Sequence, residues 1–311
     1  MINYANLRRK MGKNWQRGLY NAKRHRIHYL FMAPYLLLFA LFTILPVILS
    51  IGLSFTYFNG LEMPEWSGLD NYYKMFLNDD IFITALKNTA VFAVVIGPGG
   101  YLLSFGVAWL LNELPRSQRV PLTVLFYAPS ISGAMYMIWQ YIFSGDSQGL
   151  ANSLLIQLGV IDAPILWFKN AEYVVPLCMA VMLWMSLGTS FLSLIAGFQG
   201  VDRQLYEAGA IDGIRNRWQE LWFITLPVMK QHLMFSAIMA ITSAFSVGPQ
   251  ITALAGFPTV DYAAHTIMIH LNDSGGTRFE MGYASAIATL LFVLMIGSNK
   301  LVQKFLSKVG T

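Results

Sequence analysis

Charge is what this sequence has least of. Asp, Glu, Lys and Arg make up 12% of its 311 residues, against 56% hydrophobic, and the mean hydropathy is +0.51. A soluble domain carries about 25% charged residues. Half that, together with several apolar runs near ~20 residues, points to an integral membrane protein. The alternative, a large soluble α protein with buried helices, would have too few charges to stay in solution. Cysteine is nearly missing too. Cys178 stands alone inside an apolar run, so an intrachain disulfide is excluded and the residue reads as a small buried hydrophobe.

The motifs of several chemistries are also absent. No Gly-x-x-x-x-Gly-Lys-Ser/Thr pattern occurs, so the chain is not expected to hydrolyse ATP itself. His-Glu-x-x-His, paired inner acids and Cys/His clusters are missing, so no catalysis, cofactor or metal is expected. His232, near the end of an apolar run, suits an interfacial histidine better than a ligand. All sixteen acids fall in loops or at the ends of apolar runs. Ion-coupled carriers need an intramembrane ionisable residue or an unwound helix for the coupling ion, so ion-coupled transport is disfavoured.

What is present begins with a basic segment. Residues 1–26 hold eight Lys and Arg and no acid, with Trp15, Leu19 and Tyr20 in a weak amphipathic pattern. A helix lying on an anionic leaflet and a disordered basic tail both fit. Six apolar spans follow, at about Tyr29–Phe55, Ala85–Leu111, Val120–Phe143, Tyr173–Phe198, Ile224–Val247 and Tyr283–Phe305. Each can cross ~30 Å of hydrocarbon at about 1.5 Å per residue. Gly97-Pro98-Gly99-Gly100 is the expected kink. The sequence therefore divides into a basic segment (1–28), a first span with its loop (29–84), a five-span core (85–305) and a short tail (306–311).

With the N-terminus in the cytoplasm, the inner segments collect sixteen Lys and Arg and the outer ones four (Lys74, Lys87, Lys169, Arg278). That bias places both termini on the cytoplasmic side of a multi-pass protein of the plasma (cell inner) membrane. The basic residues flank spans without interleaved aromatics, which points to membrane lipid and away from nucleic acid. The outer loops are about 56–84, 144–172 and 248–282. The first two read as partly helical surface segments and the third as loop-rich, and all are long enough to dock an external partner.

One cytoplasmic stretch is polar and helix-forming: Glu207-Ala208-Gly209-Ala210-Ile211-Asp212-Gly213, followed by Ile224-Thr225-Leu226-Pro227. Asp202 can cap a helix starting at Arg203, and Gly213 can end it in the left-handed conformation. Ala208, Gly209 and Ala210 would give it a slim surface for another backbone. A second helix follows, with Trp218, Leu221 and Trp222 on one stripe. An ordinary loop is the plain alternative.

These residues resemble the motif of the type-1 membrane permeases of ATP-binding-cassette (ABC) importers: Glu-Ala-Ala, a glycine six residues after the Glu, then Ile-x-Leu-Pro. Here glycine replaces alanine at 209, and Gly213 to Pro227 is one residue longer than in most members. Ala33-Pro34-Tyr35, Pro46, Gly68-Leu69-Asp70-Asn71-Tyr72 and Asn88-Thr89 are similar to the larger maltose-type sugar permeases. Residues 214–222 resemble those of permeases for complex oligosaccharides.

The resemblance implies an all-α fold of six transmembrane helices in the type I ABC importer permease class. Within it, residues 203–218 hold the coupling helix, and Glu207 to Gly213 seat it in a cleft of an ATPase. It implies two ATPase subunits that bind ATP and Mg, a second homologous permease and an extracellular solute-binding protein. It also implies a sugar pathway at Met185, Ser186 and Thr189 on span four and Ala240, Ser243, Ala244 and Val247 on span five. Tyr136, Trp139 and Trp184 could stack on sugar rings, or simply pack helices and anchor at the interface. Alternatives within the architecture are a peptide, amino acid or polyol phosphate cargo. A passive channel would leave the polar stretch unexplained.

Overall fold

The computed structural model describes residues 26–307, so the basic segment read as an interfacial helix or a tail lies almost wholly outside the described residues. The chain forms two compact units that divide between Leu53 and Ser54.

The first unit is one rod, α1 (Ile27–Leu53), of mean hydropathy 2.7 with none of its apolar window buried. Such a surface is at home only in lipid or against another apolar chain. A π-turn at Ala40–Ile44 lies just before Pro46. The proline ring would clash with the carbonyl four residues back, and a wider turn relieves it.

The second unit opens with a small antiparallel pair, β1 (Thr56–Tyr57) and β2 (Glu65–Trp66), and a helical turn α2 (Asp70–Tyr73). Asn71 fixes this segment by donating to the carbonyls of Ser54 and Thr56, 2.9 Å each. The helices that follow are α3 (Asp80–Asn112), α4 (Arg116–Ile131), α5 (Met135–Ile142), α6 (Leu150–Gln157), α7 (Ala171–Met185) and α8 (Thr189–Gln199). Then come α9 (Arg203–Ile211), α10 (Arg217–Val228), α11 (Lys230–Phe245), α12 (Pro249–Ala255), α13 (Ile267–Asn272) and α14 (Met281–Leu306).

Helices α3, α8 and α11 pack on one another, with α14 against α11 and α7 against α3. One apolar cluster, around Phe92, Cys178, Val181 and Ile251, fills the half toward α12; another, around Phe191, Leu194, Phe198 and Leu233, fills the half toward α9.

Among the described residues, four helical segments are long and apolar enough to cross a membrane, and two bent pairs raise the number to six if each pair counts as one span. Two of the expected spans are sharply bent. The Val120–Phe143 segment turns by 84° between α4 and α5, and the Ile224–Val247 segment turns by 82° between α10 and α11. The second corner falls at Met229, two residues after Pro227, where the helix has lost a backbone donor.

α3 runs as one continuous helix through Gly97-Pro98-Gly99-Gly100, where a kink is expected. Two of those glycines allow close approach. A Cβ on Gly100 would stand 2.8 Å from that of Ser186, and one on Gly99 3.1 Å from Leu183. The third outer segment, read as loop-rich, carries α12 and α13 and is pinned to α3. Asn88 donates to the carbonyls of Tyr262 and His265, and the Ile267 N–H donates to Thr89.

Candidate functional site

Helix α9 starts where its cap chemistry predicts. The Asp202 carboxylate accepts from the Gln204 N–H at 3.0 Å. At the other end Gly213 takes φ +95°, and the N–H groups of Gly213 and Ile214 reach back to the carbonyls of Ala210 and Gly209. That is a Schellman closure, with Ile214 as its apolar partner. Asn216 then caps α10 by accepting from Gln219 N–H at 2.9 Å.

Glu207, Ala208, Ala210, Ile211, Asp212 and Gly213 are all exposed, and Ile211 is 88% exposed. Gly209 is not. The slim surface expected at Ala208–Ala210 therefore has its middle residue turned inward, because a Cβ on Gly209 would lie 2.7 Å from Cδ1 of Ile224 and 3.1 Å from Cδ1 of Ile214. The Tyr206 hydroxyl adds a 2.8 Å hydrogen bond to Thr225. Helix α9 is thus seated on α10.

A π-turn at Leu221–Thr225 directly precedes Leu226-Pro227, as the one in α1 precedes Leu45-Pro46, and the wider turn clears the proline ring in the same way. Ile224 lies within this π-turn and occupies the space that Gly209 leaves free.

A second feature sits near the middle of α3. A cavity of about 300 Å³ is lined by Ile96 and Gly100, by Tyr127, Ser130 and Tyr136, by Met185, Ser186, Gly188, Thr189 and Ser190, and by Ala240, Ser243, Val247 and Gln250. The structure thus brings together Tyr136, Met185, Ser186, Thr189, Ala240, Ser243 and Val247 of the expected pathway.

It does not bring in the other three. Ala244 is buried on the far side, against Gly97. Trp139 stacks on Phe143 and meets Trp184 edge-on at 5.3 Å, next to the cavity rather than on its wall.

Tyr127, Ser130, Ser190 and Gln250 were missed by sequence reasoning. Three helix breaks converge here: Ser132-Gly133 between α4 and α5, Ser186-Leu187-Gly188 between α7 and α8, and Ser246-Val247-Gly248 between α11 and α12. Serine followed by glycine inside an apolar run was the available signal. Backbone that leaves the helix within a membrane is tolerated where it lines a cavity, and transporters place their sites at such discontinuities. The wall offers hydroxyls and an amide, and among the described residues no charged side chain lines it.

The end of the molecule away from α9 is held by a buried polar chain. The Asp79 carboxylate accepts from the Phe82 N–H (2.8 Å), the Tyr283 hydroxyl (2.8 Å) and His270 Nε2 (3.1 Å). His270 Nδ1 in turn lies 3.3 Å from His265 Nε2. Burial pushes Asp79 up, but these donors outweigh it and hold its carboxyl below the ordinary value. Burial lowers His270 more than Asp79 raises it, and burial with the neighbouring His270 lowers His265 to about 4. Both imidazoles are therefore neutral at pH 7. If His270 donates to Asp79 and accepts from His265, then His265 Nδ1 is left as a buried acceptor, and it has no partner among the described residues.

With this geometry in view, comparison with known proteins gives a consistent result. The chain is 32% identical over 273 residues to the probable ABC transporter permease protein YesP of Bacillus subtilis (strain 168), covering 86% of each. It is 30% identical over 274 residues to the arabinooligosaccharides transport system permease protein AraP of the same organism (86% and 84% covered). It is also 30% identical over 212 residues to the lactose transport system permease protein LacF of Rhizobium radiobacter (68% and 70% covered).

A solved bacterial ABC transporter involved in the import of the acidic polysaccharide alginate shares the fold, with a TM-score of 0.73, 23% identity, and 93% and 99% of the chains covered. No family model matches. The chain belongs to the ABC transporter permeases, integral membrane proteins that are transport components rather than enzymes.

Proposed function

We propose that this chain is one of two homologous permease subunits of an importer in the cell inner membrane. In this reading its cargo is a carbohydrate, a complex oligosaccharide, delivered by an extracellular solute-binding protein. Two ATPase subunits on the cytoplasmic face bind ATP and Mg and drive it. The six spans are α1, α3, α4 with α5, α7 with α8, α10 with α11, and α14; both termini and α9 are cytoplasmic, in line with sixteen inner basic residues against four outer ones. The chain then divides as the basic segment 1–28, the first span and outer segment 29–84, the core 85–305 with the coupling helix within 203–218, and the tail 306–311.

The observation that carries this reading is α9. It is capped at both ends and locked to α10, yet it presents Glu207, Ala208, Ala210 and an 88% exposed Ile211 to the outside. An apolar side chain so placed on a short rigid helix suits a groove in a peripheral subunit. Closure of two ATPases on ATP would move α9 and, through α10, the helices around the cavity.

The cavity supports the cargo class. Hydroxyls of Ser130, Ser186, Thr189 and Ser243 with the Gln250 amide match a neutral, hydroxyl-rich solute better than a charged peptide, an amino acid or a polyol phosphate. Tyr136 on its wall gives a sugar ring a flat surface, while Trp139 and Trp184 stiffen that side from behind. The relatives that are named for arabinooligosaccharides and lactose agree with this class.

The test is uptake by the full complex in vesicles with ATP inside. Oligosaccharide uptake should need the binding protein and ATP and should stop when residues 207–213 are deleted. Undiminished uptake after that deletion, or uptake without ATP, would overturn the reading.

A further inference from the structure

A groove between α4 and α8 has a charged end and an apolar end. Arg116, Arg119, Val120, Thr123 and Val124 fall on one stripe of α4 at i, i+3, i+4, i+7 and i+8, and the groove they line with Ile195 and Gln199 of α8 has a volume of about 370 Å³. Val120 and Val124 are 53% and 62% exposed. At the Arg116, Arg119 and Gln199 rim the groove opens into a larger cleft beside α9, of about 940 Å³.

Among the described residues no carboxylate pairs with the charges at that rim; Glu207 lines the larger cleft they share. In the larger cleft Arg217 is neutralised by Glu113 and Glu220, at 2.9 Å each. Arg116 and Arg119 make no side-chain hydrogen bond or ion pair among the described residues, no acid lies in the first turn of α4, and no carboxylate lines the smaller groove. From Arg116 to Val124 is eight residues, or about 12 Å of helix, enough for a phosphate and the upper part of an acyl chain.

We propose that this groove is a docking site for an anionic phospholipid of the cytoplasmic leaflet. Arg116 and Arg119 hold its phosphate, Gln199 and Thr123 face the glycerol ester region, and an acyl chain lies along Val120, Val124 and Ile195. The assignment rests on the topology proposed above, which puts Arg116 at the cytoplasmic surface, where anionic lipid and basic pockets between helices meet. A lipid seated there would bridge α4 and α8 next to the coupling helix, so transport would depend on anionic lipid.

The test uses the full-length chain in its purified complex, exchanged into phosphatidylcholine nanodiscs containing phosphatidylglycerol, with tightly held lipid measured by mass spectrometry. Wild type should retain phosphatidylglycerol in excess over the bulk ratio. The double variant R116Q/R119Q should cut that excess roughly tenfold, Val124→Phe should reduce it by filling the groove, and K300Q, an exposed position on α14 away from the groove, should leave it unchanged.

Inorganic phosphate should fail to displace the lipid; displacement would mean that a free anion is the occupant. Unchanged retention in R116Q/R119Q, or loss of the second permease from that variant, would also overturn the proposal, the last by making the groove a protein interface. Labelling of Ser117→Cys with a membrane-impermeant maleimide checks the topology separately. Reaction from the outside would reject the topology whatever the lipid result.

Discussion

The two ends of the second unit are built by opposite means. At the Asp79 end, one carboxylate gathers donors from α3, α13 and α14 and buries them, and Lys74 closes over the site with a 2.7 Å ion pair to Glu280 and its ammonium 4.4 Å from the Tyr283 ring. At the α9 end, the polar chain is only cap-deep, and beyond it Glu207 is exposed at the rim of a cleft and Ile211 is 88% exposed. One end is finished internally, so damage there should appear as lost stability. The other, in the proposed function, is completed by a partner, so damage there should appear as lost partnership with the fold intact.

The largest stability effect should come from Asp79→Ala. It strips Phe82, Tyr283 and His270 of a buried acceptor at once, a loss of about 3 kcal/mol. Thermal unfolding in detergent would read it, and a midpoint like that of wild type would erase the contrast between the ends.

Gly209→Val comes next, at about 1–3 kcal/mol from overpacking against Ile224. Adding Ile224→Ala should return part of that loss, because the two side chains compete for one space; strict additivity would sink the contact.

Acidification should act on the Asp79 end alone. Folded His265 titrates at about 4 and His270 is also lowered, while unfolded imidazoles titrate near 6.5. Between those values the unfolded segment binds more protons than the folded one. Stability is therefore full above about pH 6.5 and falls as pH drops toward 4. The Asp79 contribution is full above the ordinary carboxylate value and is lost as pH falls from there through the lowered folded value. Amide exchange of residues 265–274, corrected for intrinsic rates, should open faster at pH 5 than at pH 7, with residues 203–213 unchanged.

The smallest stability effects belong to Glu207→Gln and Ile211→Ser, within about 0.5 kcal/mol because both residues are exposed. Their effect should lie in coupling: weaker retention of the ATPase on affinity purification and lower uptake. A fall in thermal midpoint with the ATPase still bound would reverse the argument.

These ends also differ in how much the sequence discloses. Helix α9 is legible down to its caps, since Asp202 and Gly213 act on backbone groups within a few residues of themselves. The Asp79 chain is illegible, because its partners lie 191 and 204 residues away and nothing local marks Asp79 as more than a helix cap. The spans could be counted from hydropathy, but their bends could not. Proline alone does not mark the breaks: α3 stays one continuous helix through Pro98, the corner at Met229 follows Pro227, and the three breaks around the cavity fall where serine is followed closely by glycine. Of the cavity wall, the positions on α8 and α11 were accessible by motif spacing, whereas Tyr127 and Gln250 arrive from segments whose course depends on those breaks.

The corner at Met229 sets what a displacement of α9 can become. Because Ile224 fills the hollow at Gly209, α9 and α10 behave as one arm, and that arm meets α11 at 82°. In the proposed topology α10 and α11 form one bent span, with the arm at its cytoplasmic end. A push along the arm would reach α11 as a sideways thrust near its base, tilting it as a crank tilts its shaft. Ala240, Ser243 and Val247 lie far from that base, so small travel at α9 would be magnified at the cavity wall.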